Sequence, residues 1–241
     1  MNVTKHGENL WQLTRLAAFN CYLVREEDGF TLIDTNMGGS GKGIVQAAQM
    51  PGLPSLPICR ISLTHAHADH AGSLDEVAAL LPDAEVACSG RTTAFLQGNL
   101  NLRADEPQAK LRGGFVRRNT PAARLLRPGD RLGSLRVVAA PGHTPDQIAF
   151  YDERDGTLLA GDAFQTQAGT AVAGVLRWLF PFPALATWHL ETALTTAVAL
   201  HALNPTRLAV GHGPVVEKPA AHMAAAIRAA EAKVHGQTQT A

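Results

Sequence analysis

Residues 65–70 read His65-Ala66-His67-Ala68-Asp69-His70, with three imidazoles and a carboxylate inside six positions. Such groups are costly to bury unless something pairs with them. Imidazole suits zinc and other borderline metals, and a carboxylate completes a hydrolytic donor set. Small residues at Ala66 and Ala68 let the backbone turn tightly, so that neighbouring side chains can face different ions. The cluster directly follows the short apolar segment Arg60 to Thr64, which reads as a strand. Behind it, Ser73-Leu74-Asp75-Glu76 has the Ser-x-x-Glu form of a helix-capping box. Leu74, Val77, Ala78 and Leu81 then recur at helical spacing and Pro82 marks the exit. Ala84 to Cys88 reads as the next strand. The order strand, polar cluster, helix, strand predicts a layered α/β unit with its chemistry at strand ends.

Upstream, Leu10 to Arg15 and Asn20 to Arg25 are strand-like, and the turn Glu26-Glu27-Asp28-Gly29 returns the chain through Phe30 to Asp34. The glycine-rich run Gly38 to Gly43 lacks the Gly-Lys-Ser/Thr ending of a phosphate-binding loop, and reads as a strand-to-helix connection. Downstream, the strand Ser134 to Ala140 runs into Pro141-Gly142-His143-Thr144. Ile148 to Tyr151 and Thr157 to Ala160 flank Asp155-Gly156 as a hairpin that delivers Gly161-Asp162. A helix is expected over His189 to Leu203, then a strand Arg207 to Val210 feeding Gly211-His212-Gly213, then a terminal helix Pro219 to Val234. The irregular stretches Leu96 to Arg118 and Ala163 to Ala186 lack a linker's composition, so one domain over 1–241 is expected.

His143, Asp162 and His212 share a local pattern: each follows an expected strand and is preceded by a glycine, which permits unusual φ or close backbone approach. Singly each is weak evidence for a site. Together with the cluster they form a set of seven candidate metal-binding side chains.

The His-x-His-x-Asp-His run followed by isolated Gly-His, Gly-Asp and Gly-His closely resembles the metallo-β-lactamase superfamily, over nearly the whole chain up to Gly213. Phe180-Pro181-Phe182-Pro183 and Ala186-Thr187-Trp188 look most like its small bacterial metallo-hydrolases. The resemblance implies a four-layer αβ/βα sandwich with the metals at one edge, between the halves. It implies that His65, His67 and His143 bind a first ion, that Asp69, His70 and His212 bind a second, and that Asp162 bridges both. Two zinc ions are expected, with iron or manganese as alternatives. Water shared by two dications has its pKa lowered from about 15.7 toward neutrality, so the expected mechanism is attack by a metal-bridging hydroxide. Asp69 is the expected catalytic residue, orienting that nucleophile and relaying its proton. An acid at the position of Asp34 usually braces the metal-binding loop in this family; a simple turn cap is the other reading.

Fold and metal set do not identify a substrate. Acidic and basic residues balance at 21 each, which argues against a broad nucleic-acid face. No apolar run has transmembrane or signal-peptide length, so no membrane association and a cytoplasmic location are expected. Cys21, Cys59 and Cys88 lack paired spacing and read as free thiols. Acyl-homoserine lactonases of this fold carry a tyrosine shortly after the bridging aspartate, where this chain has Gln165. The leading expectation is hydrolysis of a small ester, lactone or related acyl substrate. The alternatives are a single-iron sulfur oxygenase of the same fold or a phosphodiester hydrolase. Val172 to Phe182 reads as core or lid packing, or as an apolar wall over the metals in which Trp178, Phe180 and Phe182 contact substrate. His189 is a further candidate contact. Arg177 is expected in a surface salt bridge or on an anion, and Arg112, Arg117, Arg118 and Arg124 could form an anion-binding rim. The chain is expected as a monomer or a homodimer.

Overall fold

Alternation along Phe19–Arg25 sends successive side chains to opposite faces of one sheet. Cys21 and Leu23 join a core packed beneath helices, whereas Tyr22 and Val24 join a second core shared with another sheet. That division sets the layering of the whole molecule. The computed structural model describes residues 1–238. The N-terminal half comprises β1 (Asn2–His6), β2 (Leu10–Arg15), β3 (Phe19–Arg25), β4 (Phe30–Ile33), α1 (Gly41–Ala48), β5 (Ile58–Ser62), α2 (Ala68–Ala71), α3 (Leu74–Leu80), β6 (Glu85–Ser89), α4 (Gly90–Leu96) and β7 (Arg124–Leu126). The C-terminal half comprises β8 (Arg131–Leu132), β9 (Leu135–Ala139), β10 (Ile148–Asp152), β11 (Thr157–Leu159), β12 (Phe164–Gln165), β13 (Ala171–Val172), α5 (Phe182–Leu185), α6 (Leu190–Ala202), β14 (Arg207–Ala209), β15 (Val216–Glu217) and α7 (Ala220–Thr238).

Strands β1 to β7 form one sheet in sequence order, and a second has the order β15-β14-β11-β10-β9-β8. Ile44, Val77 and Phe95 from α1, α3 and α4 cover the outer face of the first. Ala193 and Leu200 from α6, with Met223 and Ile227 from α7, cover the outer face of the second. Ile33, Leu126, Val137 and Phe150 fill the space between the sheets. This is the expected αβ/βα sandwich of four layers. Among the described residues no helix is long and apolar enough to cross a membrane.

Register places the chemistry. β4 and β5 are parallel with Ile33 opposite Ser62, so Asp34 and the segment Leu63 to His65 leave the same edge together. β11 and β14 are also parallel, with Leu159 opposite Ala209, so Gly161-Asp162 and Gly211-His212 leave side by side. The two edges are stitched by Ile148 N–H donating to the Thr64 carbonyl (2.9 Å) and Asn20 N–H to that of Gly211 (2.9 Å).

One local expectation is corrected. Ser73 and Glu76 begin α3 as expected, but Ser73 makes no side-chain cap there. Its hydroxyl donates to the Met37 carbonyl and accepts from Ser40 N–H, both at 2.8 Å. Glu76 accepts from the N–H groups of Gly41 (3.0 Å) and Lys42 (3.3 Å). Because α1 packs beside α3, the pair caps the neighbouring helix and ties the loop before it to the cluster.

Candidate metal centre

The seven candidate side chains come from four separate strand exits, and the fold brings all of them together. His65, His67 and His143 form one group, and Asp69, His70, Asp162 and His212 form another; within each, the ligating atoms lie within 4.8 Å of one another. The Asp162 carboxylate spans the two. Its Oδ2 is 3.0 Å from His212 Nε2 and 3.4 Å from His143 Nε2, while its Oδ1 is 3.2 Å from His70 Nε2. Asp69 Oδ2 is 3.3 Å from His212 Nε2, and its side chain is the most exposed of the seven.

Each imidazole is turned by a hydrogen bond on its outer nitrogen. His70 Nδ1 lies 2.8 Å from Asp34 Oδ2, His67 Nε2 donates to the Arg112 carbonyl (3.0 Å), and His212 Nδ1 donates to that of Ala18 (3.2 Å). Thr64 spends its hydroxyl proton on Asp34 (2.9 Å to Oδ2) and so accepts from His65 Nδ1 (3.0 Å). Thr187 donates to the Pro183 carbonyl (2.7 Å) and accepts from His143 Nδ1 (3.2 Å). Holding the outer proton fixes tautomer and ring orientation, as for metal-binding histidines generally. In the first group, where burial keeps the imidazoles neutral, the inner nitrogens then present lone pairs. Those of His67 and His143 face each other at 3.1 Å, and His65 Nε2, His70 Nε2 and Asp162 Oδ1 are buried without hydrogen-bond partners. Converging lone pairs and orphaned acceptors are what a bound cation satisfies, so the residues fit a metal pair.

Asp34 is the brace. It adopts a positive φ of 64°, which an aspartate tolerates better than most residues, and its Oδ1 also accepts the Thr64 backbone N–H at 2.7 Å. One carboxylate thereby orients His70, His65 through Thr64, and the backbone that leads into the cluster.

Electrostatics differ between the groups. Burial pushes His65 and His67 down, and His143 to about 3, so the first group stands neutral and ready to coordinate. Burial also acts on His70 and His212, but the facing carboxylates outweigh it: His70 lies well above its ordinary value and His212 rises to about 9. Asp69 and Asp162 are held low despite burial, by the charges and hydrogen bonds of those histidines. Without metal, the second group is a protonated histidine pair balanced by carboxylates.

A cavity of about 280 Å³ opens onto the site. His67, Asp69, His143, Asp162 and His212 contribute to its lining, with apolar contributions from Phe19, Met37, Phe182 and Pro183. Of the expected substrate contacts, Phe182 lines this cavity. Phe180 is buried, its ring tilted against His212 at 5.3 Å and edge-on to Phe182 at 5.4 Å. Trp178 is 87% exposed and outside the lining. His189 is also outside it: its Nδ1 accepts from Thr192 N–H as the N-cap of α6, and its Nε2 lies 3.2 Å from Glu191. Arg118 turns inward to donate to the Ala71 (2.8 Å) and Gly72 (2.6 Å) carbonyls, closing the turn that carries Asp69 and His70. Arg177 donates to the Thr170 carbonyl.

Asp146 has no sequence signal, yet its Oδ2 accepts the Ala66 N–H at 2.9 Å and so joins the His143 loop to the histidine cluster. Burial raises its pKa to about 6. With the folded value above the unfolded one, the native state holds the extra proton between about pH 4 and 6. Stability contributed there falls as pH rises through that window, by about 3 kcal/mol at roughly 1.4 kcal/mol per unit. Asp146→Asn is therefore expected to be less stable than wild type near pH 4 or equal to it, and to gain relative to it by pH 7.5. Urea denaturation of both proteins across that range measures the difference.

Comparison with known proteins agrees with this geometry. Residues 18–212 match the family model described as the metallo-beta-lactamase superfamily. The chain is 46% identical over 235 residues to the uncharacterized protein YobT of Bacillus subtilis (strain 168), covering 96% of this chain and 99% of that one. It is 30% identical over 212 residues to the probable metallo-hydrolase YflN of the same organism, covering 80% of each. The crystal structure of TTHA1623 in a di-iron-bound form superposes with a TM-score of 0.61 at 27% identity, over 87% of this chain and 94% of that one. With its seven candidate ligands set on the facing edges of two sheets, and a match spanning every one of those residues, the chain belongs to the metallo-β-lactamase superfamily.

Proposed function

We propose that the protein is a dinuclear metal-dependent hydrolase acting on a small ester, lactone or related acyl substrate. The observation that carries this is the Asp162 carboxylate, which reaches both ligand groups at once. His65, His67 and His143 would hold one ion, Asp69, His70 and His212 the other, and Asp162 both. Zinc suits this nitrogen and oxygen set. Iron remains an alternative, since the similar TTHA1623 has a di-iron-bound form. The bound pair would supply Lewis acidity for the substrate carbonyl and a nucleophile available at neutral pH.

The chain's own groups do the rest. Asp69 stands ionised at the cavity, where it can orient an attacking water, take its proton and return it to the departing oxygen. Asp34, Thr64, Thr187 and two backbone carbonyls keep the imidazoles from turning during the reaction. Phe182 and Phe19 limit solvent around the reacting carbon, which strengthens every charge interaction there. The small cavity favours a small-molecule substrate.

The test is a panel of lactone, ester, thioester and phosphodiester substrates offered to zinc-, iron- and manganese-loaded protein. Ester or lactone turnover, removed by a chelator and restored by metal, is expected. Turnover of the phosphodiester alone would replace the substrate class, and no turnover with any metal would overturn the reading.

A further inference from the structure

The segment from Trp178 to Trp188 contains no charged side chain. Within it Trp178 (87% exposed), Leu179 (90%), Phe182 (63%) and Leu185 (60%) stand in solvent. Single exposed apolar residues are ordinary, but a run of four large ones marks a surface that meets something. Phe182 and Leu185 lie three apart on the single turn of α5, so they share a face. This face is anchored: Leu185 N–H donates to the Pro181 carbonyl (3.1 Å), and the buried Phe180 packs between Phe182 and His212.

Phe182 belongs to the strip and to the lining of the metal-centre cavity. The apolar surface is thus continuous with the reaction site. The cavity, at about 280 Å³, falls just below the usual range for sites that enclose a whole small-molecule ligand. A longer acyl chain that leaves the cavity past Phe182 would cross α5. The strip's own side chains, from Trp178 to Trp188, carry no charge, so what they offer a ligand is apolar contact.

Resting on the hydrolase reading above, we propose that the strip of Phe182, Leu185, Trp178 and Leu179 binds the alkyl chain of the substrate, making medium- and long-chain acyl compounds the preferred class. Burying one methylene completely is worth about a fourfold gain in affinity. An open strip should give roughly half that factor, about twofold per methylene.

Two measurements separate this proposal from the reading it rests on. The first is binding of acetate, hexanoate and decanoate to the metal-free protein, followed by tryptophan emission and calorimetry. Trp11 and Trp188 are 2% and 5% exposed, which leaves Trp178 as the solvent-facing reporter. Affinity rising with chain length, with a blue shift lost in Trp178→Phe, is expected. The second is the ratio of kcat/KM for octanoyl and acetyl esters, expected to fall at least tenfold in both Phe182→Ser and Leu185→Ser. Two variants are used so that one misfolded protein does not decide the matter. Decanoate binding no more tightly than acetate overturns the proposal even if esters are hydrolysed. Chain-length-dependent binding without ester hydrolysis supports the strip and overturns the hydrolase reading alone. A dimer whose dissociation by Leu179→Ser leaves the chain-length dependence untouched would assign the strip to self-association and overturn it.

Discussion

Replacing Gly211 with alanine is expected to lower kcat/KM by at least 100-fold and to cost about one metal equivalent per chain, without unfolding the protein. A Cβ at this position would lie 2.1 Å from Asp162 Oδ1 and 2.5 Å from His70 Cε1, well inside contact distance. Neither neighbour can yield freely. His70 is held from behind by Asp34, and Asp162 by the histidines of both groups. Metal sites tolerate displacements of about 0.2 Å in their ligand distances, and misplacing a reacting group by 1 Å costs on the order of 100-fold. Metal content and steady-state kinetics measure the two losses together, and thermal unfolding of the metal-free proteins checks the fold. Normal metal content and activity in Gly211→Ala would show that Asp162 does not bind where it is placed here.

Asp69→Ala is expected to lower kcat by a factor on the order of 1000, within the range for loss of a general acid–base group, and to change KM much less. KM should hold because Phe19, Met37, Phe182 and Pro183 remain as cavity lining. The fold should hold because Asp69 is partly exposed and its neighbours His70 and His212 keep Asp162 as a partner. Asp69→Asn separates its roles, since an amide keeps the size and a ligating oxygen but cannot accept the proton, so metal retained with turnover lost isolates the proton role. Turnover of either variant near the wild-type level would remove Asp69 from the chemistry.

The candidate ligands were legible because metal chemistry admits few residue types and concentrates them. His65 to His70 announce themselves by density, and His143, Asp162 and His212 by the glycine before each. The structure gives physical reasons for all three glycines: Gly142 has φ of 138° and lies against Ala193, Gly161 has φ of 52°, and Gly211 has no room for a side chain. The hairpin of β10 and β11 and the strand β14 were legible from periodicity and turns, and their register delivers Asp162 beside His212. What escaped was mostly long-range. Thr187 meets His143 across 44 positions and Asp146 meets Ala66 across 80, and neither carries a local signal. Ser73 and Glu76 have the right spacing for their own helix and serve its neighbour. α4 escaped because Gly90, Thr92 and Thr93 are poor helix formers; Ser89, accepting from Thr92 N–H at 2.9 Å, compensates. β1 is a largely polar edge strand recognisable only by its pairing with β2. His189 was a candidate because it follows Trp188, and the structure puts its ring to work capping α6.

The most direct test of the central claim is metal analysis of protein purified without added metal and then reloaded with zinc, scored beside wild-type ester and lactone hydrolysis. Two metal ions per chain, both required for full turnover, are the predicted result. One tightly held iron with no hydrolysis would contradict the dinuclear hydrolase and favour oxygen chemistry on the same fold, and a chain that binds no metal would contradict the account at its root.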